Sequence, residues 1–121
     1  MSIVIPAYNE EQGIESTLIQ LKAVMNQQDV EYEIIVVDDG STDRTADLVR
    51  QHQGVRLLVR HHTNRGYGAA IKTGIRQADH EWIAIIDADG TYPPEAIPSL
   101  VAETDRYDMI VGARSERDFP L

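Results

Sequence analysis

Short β-branched runs alternate along this chain with longer segments of helical period, and that alternation restricts the fold more than any other feature. It is the pattern of a parallel sheet covered by helices. It predicts strands near Ser2–Pro6, Glu33–Val37, Val55–Arg60, Trp82–Ile86 and Met109–Val111. Between the first two, Ile14, Leu18, Leu21 and Met25 recur at helical spacing and so share one face. Ser41 to Thr45 offer capping side chains just before Ala46, Leu48 and Val49, where a second helix starts. A third runs from about Tyr67 to Ala78, and a fourth follows Pro93-Pro94 and carries Ile97, Leu100 and Val101. The expected fold class is α/β, a three-layer αβα arrangement on a mostly parallel sheet of about five strands.

At 121 residues the chain fits one domain with a real core. Asp and Glu number 20 against 11 Lys and Arg, and a net charge of -9 repels a phosphate backbone, so nucleic acid is not an expected partner. With 0 cysteines there is no thiolate nucleophile and no thiolate metal site; any metal must be held by oxygen or imidazole. No apolar run approaches the roughly 18 residues of a membrane span. The start, Met1 to Pro6, lacks the basic-then-apolar layout of a signal peptide, and the expectation is a soluble, cytoplasmic chain.

In open α/β sheets ligands bind beyond the carboxyl ends of the strands, so the residues just after each strand are the candidates for function. The first strand runs into Ala7-Tyr8-Asn9-Glu10-Glu11, with no glycine, which disfavours both a dinucleotide-binding turn and a phosphate-cradling P-loop. The Gly66-Tyr67-Gly68 cluster reads either as a flexible helix start or as an anion contact at a helix N-terminus. Asp38-Asp39, after the second strand, are either helix caps or acceptors for ribose hydroxyls and base N–H groups. The fourth strand delivers Asp87-Ala88-Asp89 before Gly90, hard oxygen ligands of the kind that suit Mg²⁺ or Mn²⁺. His61 and His62 are adjacent on an extended segment and point opposite ways, which argues against a shared metal. Trp82 and Phe119 read as packing residues; Tyr8 could pack or stack on a base.

Together these stretches resemble the family 2 glycosyltransferases, and within them the polyprenyl-phosphate sugar synthases such as dolichyl-phosphate mannose synthase. The matching segments are residues 2–10, 33–45 (E-I-I-V-V-D-D-G-S-T-D-R-T), 64–75, 87–97 (D-A-D-G-T-Y-P-P-E-A-I) and 108–114. The resemblance implies the nucleotide-sugar-binding half of a glycosyltransferase A-type fold. It places Pro6, Tyr8 and Glu10 along a nucleotide, Val37 and Asp39 beside base and ribose, and Asp87 and Ala88 near ribose and diphosphate. Asp89, with Asp87, would hold the metal and take the catalytic role. Arg114 matches a family arginine near the donor or forms a surface ion pair. Where the mannose-synthase pattern often has Gln two residues after the second acid, this chain has Thr91, which leaves the donor open.

The implied activity is metal-dependent, inverting transfer from a UDP- or GDP-sugar to a polyprenyl phosphate at a membrane surface. A lipid-phosphate acceptor would bring the protein to the inner membrane face through segments outside this chain. The family's catalytic domain continues past Arg114, so residues 1–121 are expected to be the donor part, ending before the acceptor-binding part, with self-association through the uncovered apolar surface. A non-catalytic sugar-nucleotide-binding module and a nucleotidyltransferase are the alternatives. A phosphoacceptor receiver domain would need acids after the first strand, Asp after the third and Lys after the fifth, where this chain has Tyr8-Asn9, His61-His62 and Ala113-Arg114.

Overall fold

Every residue of the first two strands is buried, which marks them as the centre of a sheet covered on both faces. The computed structural model describes residues 1–90 and 93–110. Its elements alternate as the periodicity requires: β1 (Ser2–Ala7), α1 (Ile14–Met25), β2 (Glu33–Asp38), α2 (Thr45–Gln51), β3 (Leu57–Arg60), α3 (Tyr67–Gln77), β4 (Ile83–Ile85), a 3₁₀ turn (Pro94–Ala96) and α4 (Ile97–Val101). The sheet order is β3-β2-β1-β4, all parallel, with Ser2 opposite Glu33 on one side and Ile83 on the other.

Alternation along the strands divides the core. Ile3, Ile5, Ile34 and Val36 pack with Ile14, Leu18, Leu21 and Met25 of α1, Val49 of α2 and Ile97 of α4. Val4, Ile35 and Val37 face the other way, onto Ala70 of α3. The three layers are therefore α1, α2 and α4, then the sheet, then α3. Gly74 lets α3 lie close to the sheet, because a Cβ there would stand 2.3 Å from Cγ1 of Val4.

The sheet has four strands among the described residues, one fewer than the sequence suggests. Met109 and Ile110 are not in a strand, and Met109 is 81% exposed; Val111 lies outside the described residues. At the start of α2, the Asp43 carboxylate accepts from the Thr45 N–H at 2.9 Å, so one acid of the Ser41–Thr45 run meets the helix's orphan donor.

Candidate nucleotide-sugar site

The sheet order fixes where a site can form. The chain steps from β1 to β2 to β3 in one direction, then crosses to the other side of β1 for β4, so a crevice opens at the carboxyl ends of β1 and β4. A pocket of about 450 Å³ lies there, a volume suited to a small ligand. It is lined by Pro6 near the end of β1, Tyr8 and Glu10 after it, Asp39 after β2, Asn64, Gly66 and Tyr67 after β3, and Asp87, Ala88 and Asp89 after β4.

The loop after β1 is shaped by the loop after β2. Asn9 N–H donates to Ser41 Oγ (2.9 Å), Glu10 N–H to Thr45 Oγ1 (2.9 Å), and Thr42 N–H returns a bond to Asn9 Oδ1 (2.8 Å). Asn9 sits at φ 51, a conformation asparagine tolerates better than most residues. The polar residues around the two motifs thus build the wall on which Tyr8 and Glu10 stand.

The adjacent acids have different tasks. Asp38 is fully buried; its Oδ1 accepts from the Ser41 N–H (3.0 Å) and its Oδ2 from Arg60 Nε (2.9 Å). Asp39 faces the pocket, 3% exposed, and accepts from Arg65 N–H (2.9 Å), Gly66 N–H (2.8 Å) and the His61 ring (2.7 Å). Burial pushes the Asp39 carboxyl up, yet these bonds and the nearby imidazole outweigh it and hold the group below the ordinary carboxylate range. The anion at the start of α3 is thereby Asp39 itself, since it occupies the Gly66 N–H that the sequence offered to a ligand.

Gly40 follows at φ +79, where a Cβ would meet the Asn64 nitrogen and the Thr63 carbonyl carbon at 2.6 Å. The glycine is required both by its backbone conformation and by the close passage of the loop that walls the pocket.

On the β4 side, Ile86 N–H bonds Val4 O (3.0 Å) and Thr17 Oγ1 donates to Ala88 O (3.3 Å), fixing the Asp87–Asp89 segment between sheet and α1. Tyr67 Oη donates to Asp87 Oδ1 (2.9 Å). Glu10 has its carboxyl pushed up, first by burial and then by the charges of Asp89, Asp43 and Asp87. Like charges gathered in one crevice favour a cation there, which is the test a metal site must meet. Among the described residues no group of three acidic, His or Cys side chains could alone enclose an ion. The carboxylates of Asp87 and Asp89 are hard oxygen donors, the chemistry that Mg²⁺ or Mn²⁺ accepts, and phosphate oxygens and water would have to complete the shell.

Of the residues singled out in the sequence, Pro6, Tyr8, Glu10, Asp39, Asp87, Ala88 and Asp89 come together in this pocket. Val37 does not line it: it lies within β2, wholly buried with Val4, Ile35 and Ala70 of α3, whereas Asp39 stands just past the strand end. Arg114 and Phe119 lie outside the described residues. His61 is buried and His62 exposed, as opposite-pointing neighbours must be. The sequence pattern alone does not single out Asn64 as a lining residue or His61 as the partner of Asp39. Their position just beyond β3 was the available signal.

The Glu10 shift gives a test in the metal-free protein. A carboxyl whose pKa is higher folded than unfolded binds extra protons in the native state, so its ionisation costs stability as pH rises from the ordinary Glu range upward. Glu10→Gln should melt at a higher temperature than the parent at about pH 8 and at the same temperature near pH 3.5, where both states are protonated. Equal melting at both values would remove the repulsion.

The fold is an α/β arrangement of the glycosyltransferase A type. The sequence profile described as Glycosyl transferase family 2 matches residues 2–119, and the chain belongs to this family. It is 38% identical over 118 residues to the undecaprenyl-phosphate 4-deoxy-4-formamido-L-arabinose transferase of Proteus mirabilis, covering 94% of this chain and 36% of that protein. Among solved structures it is similar to a mannosyltransferase from Pyrobaculum calidifontis in complex with GDP-Man and Mn²⁺ (TM-score 0.62, 35% identity, 73% of this chain and 27% of that one). It is also similar to glucosyl-3-phosphoglycerate synthase from Mycobacterium tuberculosis in complex with Mn²⁺, UDP and glucosyl-3-phosphoglycerate (TM-score 0.66, 29% identity, 85% and 38%). The chain spans only 36% to 39% of the length of the curated relatives it matches.

Proposed function

We propose that residues 1–121 bind the donor of an inverting transferase that moves a sugar from a nucleoside diphosphate sugar to a polyprenyl phosphate. The observation that carries this reading is the convergence of Asp39, Glu10, Asp87 and Asp89 from three strand ends on one crevice. Asp39 would meet the nucleoside, and Tyr8, 45% exposed at the rim, offers a ring face to the base. Asp87 and Asp89 would hold Mg²⁺ or Mn²⁺, which when bound neutralises the departing diphosphate. The relatives' names support the lipid acceptor, and the metal complexes of the neighbours support the cation.

In-line attack needs the acceptor oxygen on the face of the sugar opposite the diphosphate. A polyprenyl phosphate oxygen is already anionic, so no residue need act as a strong general base. No helix among the described residues is long and apolar enough to cross a membrane. We place the reaction at the cytoplasmic membrane face, where a lipid phosphate would present its head group, and assign acceptor binding to segments outside residues 1–121.

The test is calorimetry of this chain with UDP- and GDP-sugars, with and without Mn²⁺, followed by a transfer assay to a polyprenyl phosphate. Expected are Mn²⁺-dependent binding and no turnover, because positioning the attacking oxygen supplies a large part of the rate. A folded chain that binds neither nucleotide would overturn the reading. Robust transfer by this chain alone would overturn the division of labour.

A further inference from the structure

The nucleoside contact proposed for Asp39 depends on how many of its lone pairs are free, and a buried chain of three side chains answers that. His61 lies at the end of β3 with its ring 7% exposed; Nδ1 is 2.7 Å from Asp39 Oδ1 and Nε2 is 2.8 Å from Thr73 Oγ1 on α3. The Asp39 carboxyl, held ionised by its donors, can only accept, so Nδ1 carries the proton. In the neutral ring Nε2 is then the acceptor and the Thr73 hydroxyl the donor. Among the described residues, Asp39 Oδ1 is filled by His61 and the Arg65 N–H, and Oδ2 takes only the Gly66 N–H. One lone pair remains, on Oδ2, in a side chain that lines the pocket.

We propose that His61 is a positioning residue for nucleoside recognition: it occupies Asp39 Oδ1 and so leaves Oδ2 to accept one N–H or O–H donor of the nucleoside. This rests on the reading of the pocket given above. The same bond ties β2 to β3 and, through Thr73, to α3, so the carboxylate is set in angle as well as in charge. Without the ring donor, Oδ1 would regain an open lone pair and the carboxylate could turn, and a ligand would have to order it on binding.

Two amides of similar polarity separate positioning from packing. In His61→Asn the amide nitrogen takes the place of Nδ1, keeping the Asp39 bond; in His61→Gln the amide oxygen takes the place of Nε2 and accepts from Thr73, keeping only that side. The measurement is UDP and GDP affinity with Mn²⁺ by calorimetry, alongside melting temperature. His61→Asn is expected to bind within about threefold of wild type and His61→Gln at least about tenfold more weakly, with similar melting temperatures. Thr73→Val, which leaves the Asp39 bond in place, is expected to bind like wild type and serves if His61→Gln fails to fold. Equal losses in the two His61 variants, no loss in either, or a tenfold loss in Thr73→Val would each overturn the proposal. In all of those outcomes wild type binds nucleotide; a folded wild type that binds none overturns the proposed function and this inference with it.

Discussion

Asp89→Asn is expected to abolish Mn²⁺-dependent donor binding while leaving the melting temperature close to that of the parent. The amide keeps the shape of the side chain and loses the charge that would hold the cation. Changes to groups that merely orient a metal ligand cost roughly 10- to 100-fold in affinity, so removing a ligand itself should cost at least about 100-fold. Asp89 is exposed and outside both core clusters, so its side chain adds nothing to the apolar packing of the fold. Calorimetric titration of a UDP- or GDP-sugar with and without Mn²⁺ checks it. Unchanged Mn²⁺-dependent affinity would take the metal away from Asp89.

Gly40→Ala is expected to be the most damaging single methyl near the pocket. The residue sits at φ +79, and the new Cβ would press on the backbone of residues 63 and 64, which has no flexible end to give way. Strain of this kind costs on the order of 2–3 kcal/mol, equivalent to roughly 6–15 °C in Tm for a domain of this size. Relief can only come by moving the loop that carries Asn64 and Gly66, so nucleotide affinity should fall together with stability. Gly68→Ala is the control. It lies in α3, a Cβ there meets nothing within 4 Å, and alanine is the better helix former, so it should gain roughly 0.5–1 kcal/mol. Thermal melts of the two variants, with nucleotide titrations of Gly40→Ala, test both statements. Equal melting of Gly40→Ala and wild type would show that the loop absorbs the methyl.

The strands and helices were legible because both periods are written plainly: β-branched runs for β1 and β2, and the Ile14–Leu18–Leu21–Met25 face for α1. The strand order was not, since nothing in a single strand's pattern says which neighbour it takes, and that order decides where the crevice lies. Asp38 and Asp39 show the same limit at the scale of one residue. Two identical side chains in sequence differ in task because successive positions on a strand face opposite ways, and which faces the crevice is set by register. Val37 shares its face with Asp39 by that rule, but it lies one step back inside β2, where Ala70 of α3 covers it. His61 was dismissed as a metal ligand on the correct ground that it and His62 diverge. That ground says nothing of what a lone buried imidazole does, and its partners Asp39 and Thr73 lie on other elements.

A central strand whose two neighbours lie far apart in sequence bears on how the protein is made. β1 is flanked by β2 within residues 33–38, but its other edge is closed only by β4 at residues 83–85. On a ribosome adding about 5–20 residues per second, that edge waits a few seconds with its backbone N–H and C=O groups unpaired. Its apolar side chains, Ile3, Val4 and Ile5, meanwhile lack part of their cover. Such an edge is a template for wrong pairing until residues 83–85 close it. The crevice needs β4, so nucleotide can rescue folding only once residues up to Asp89 have emerged.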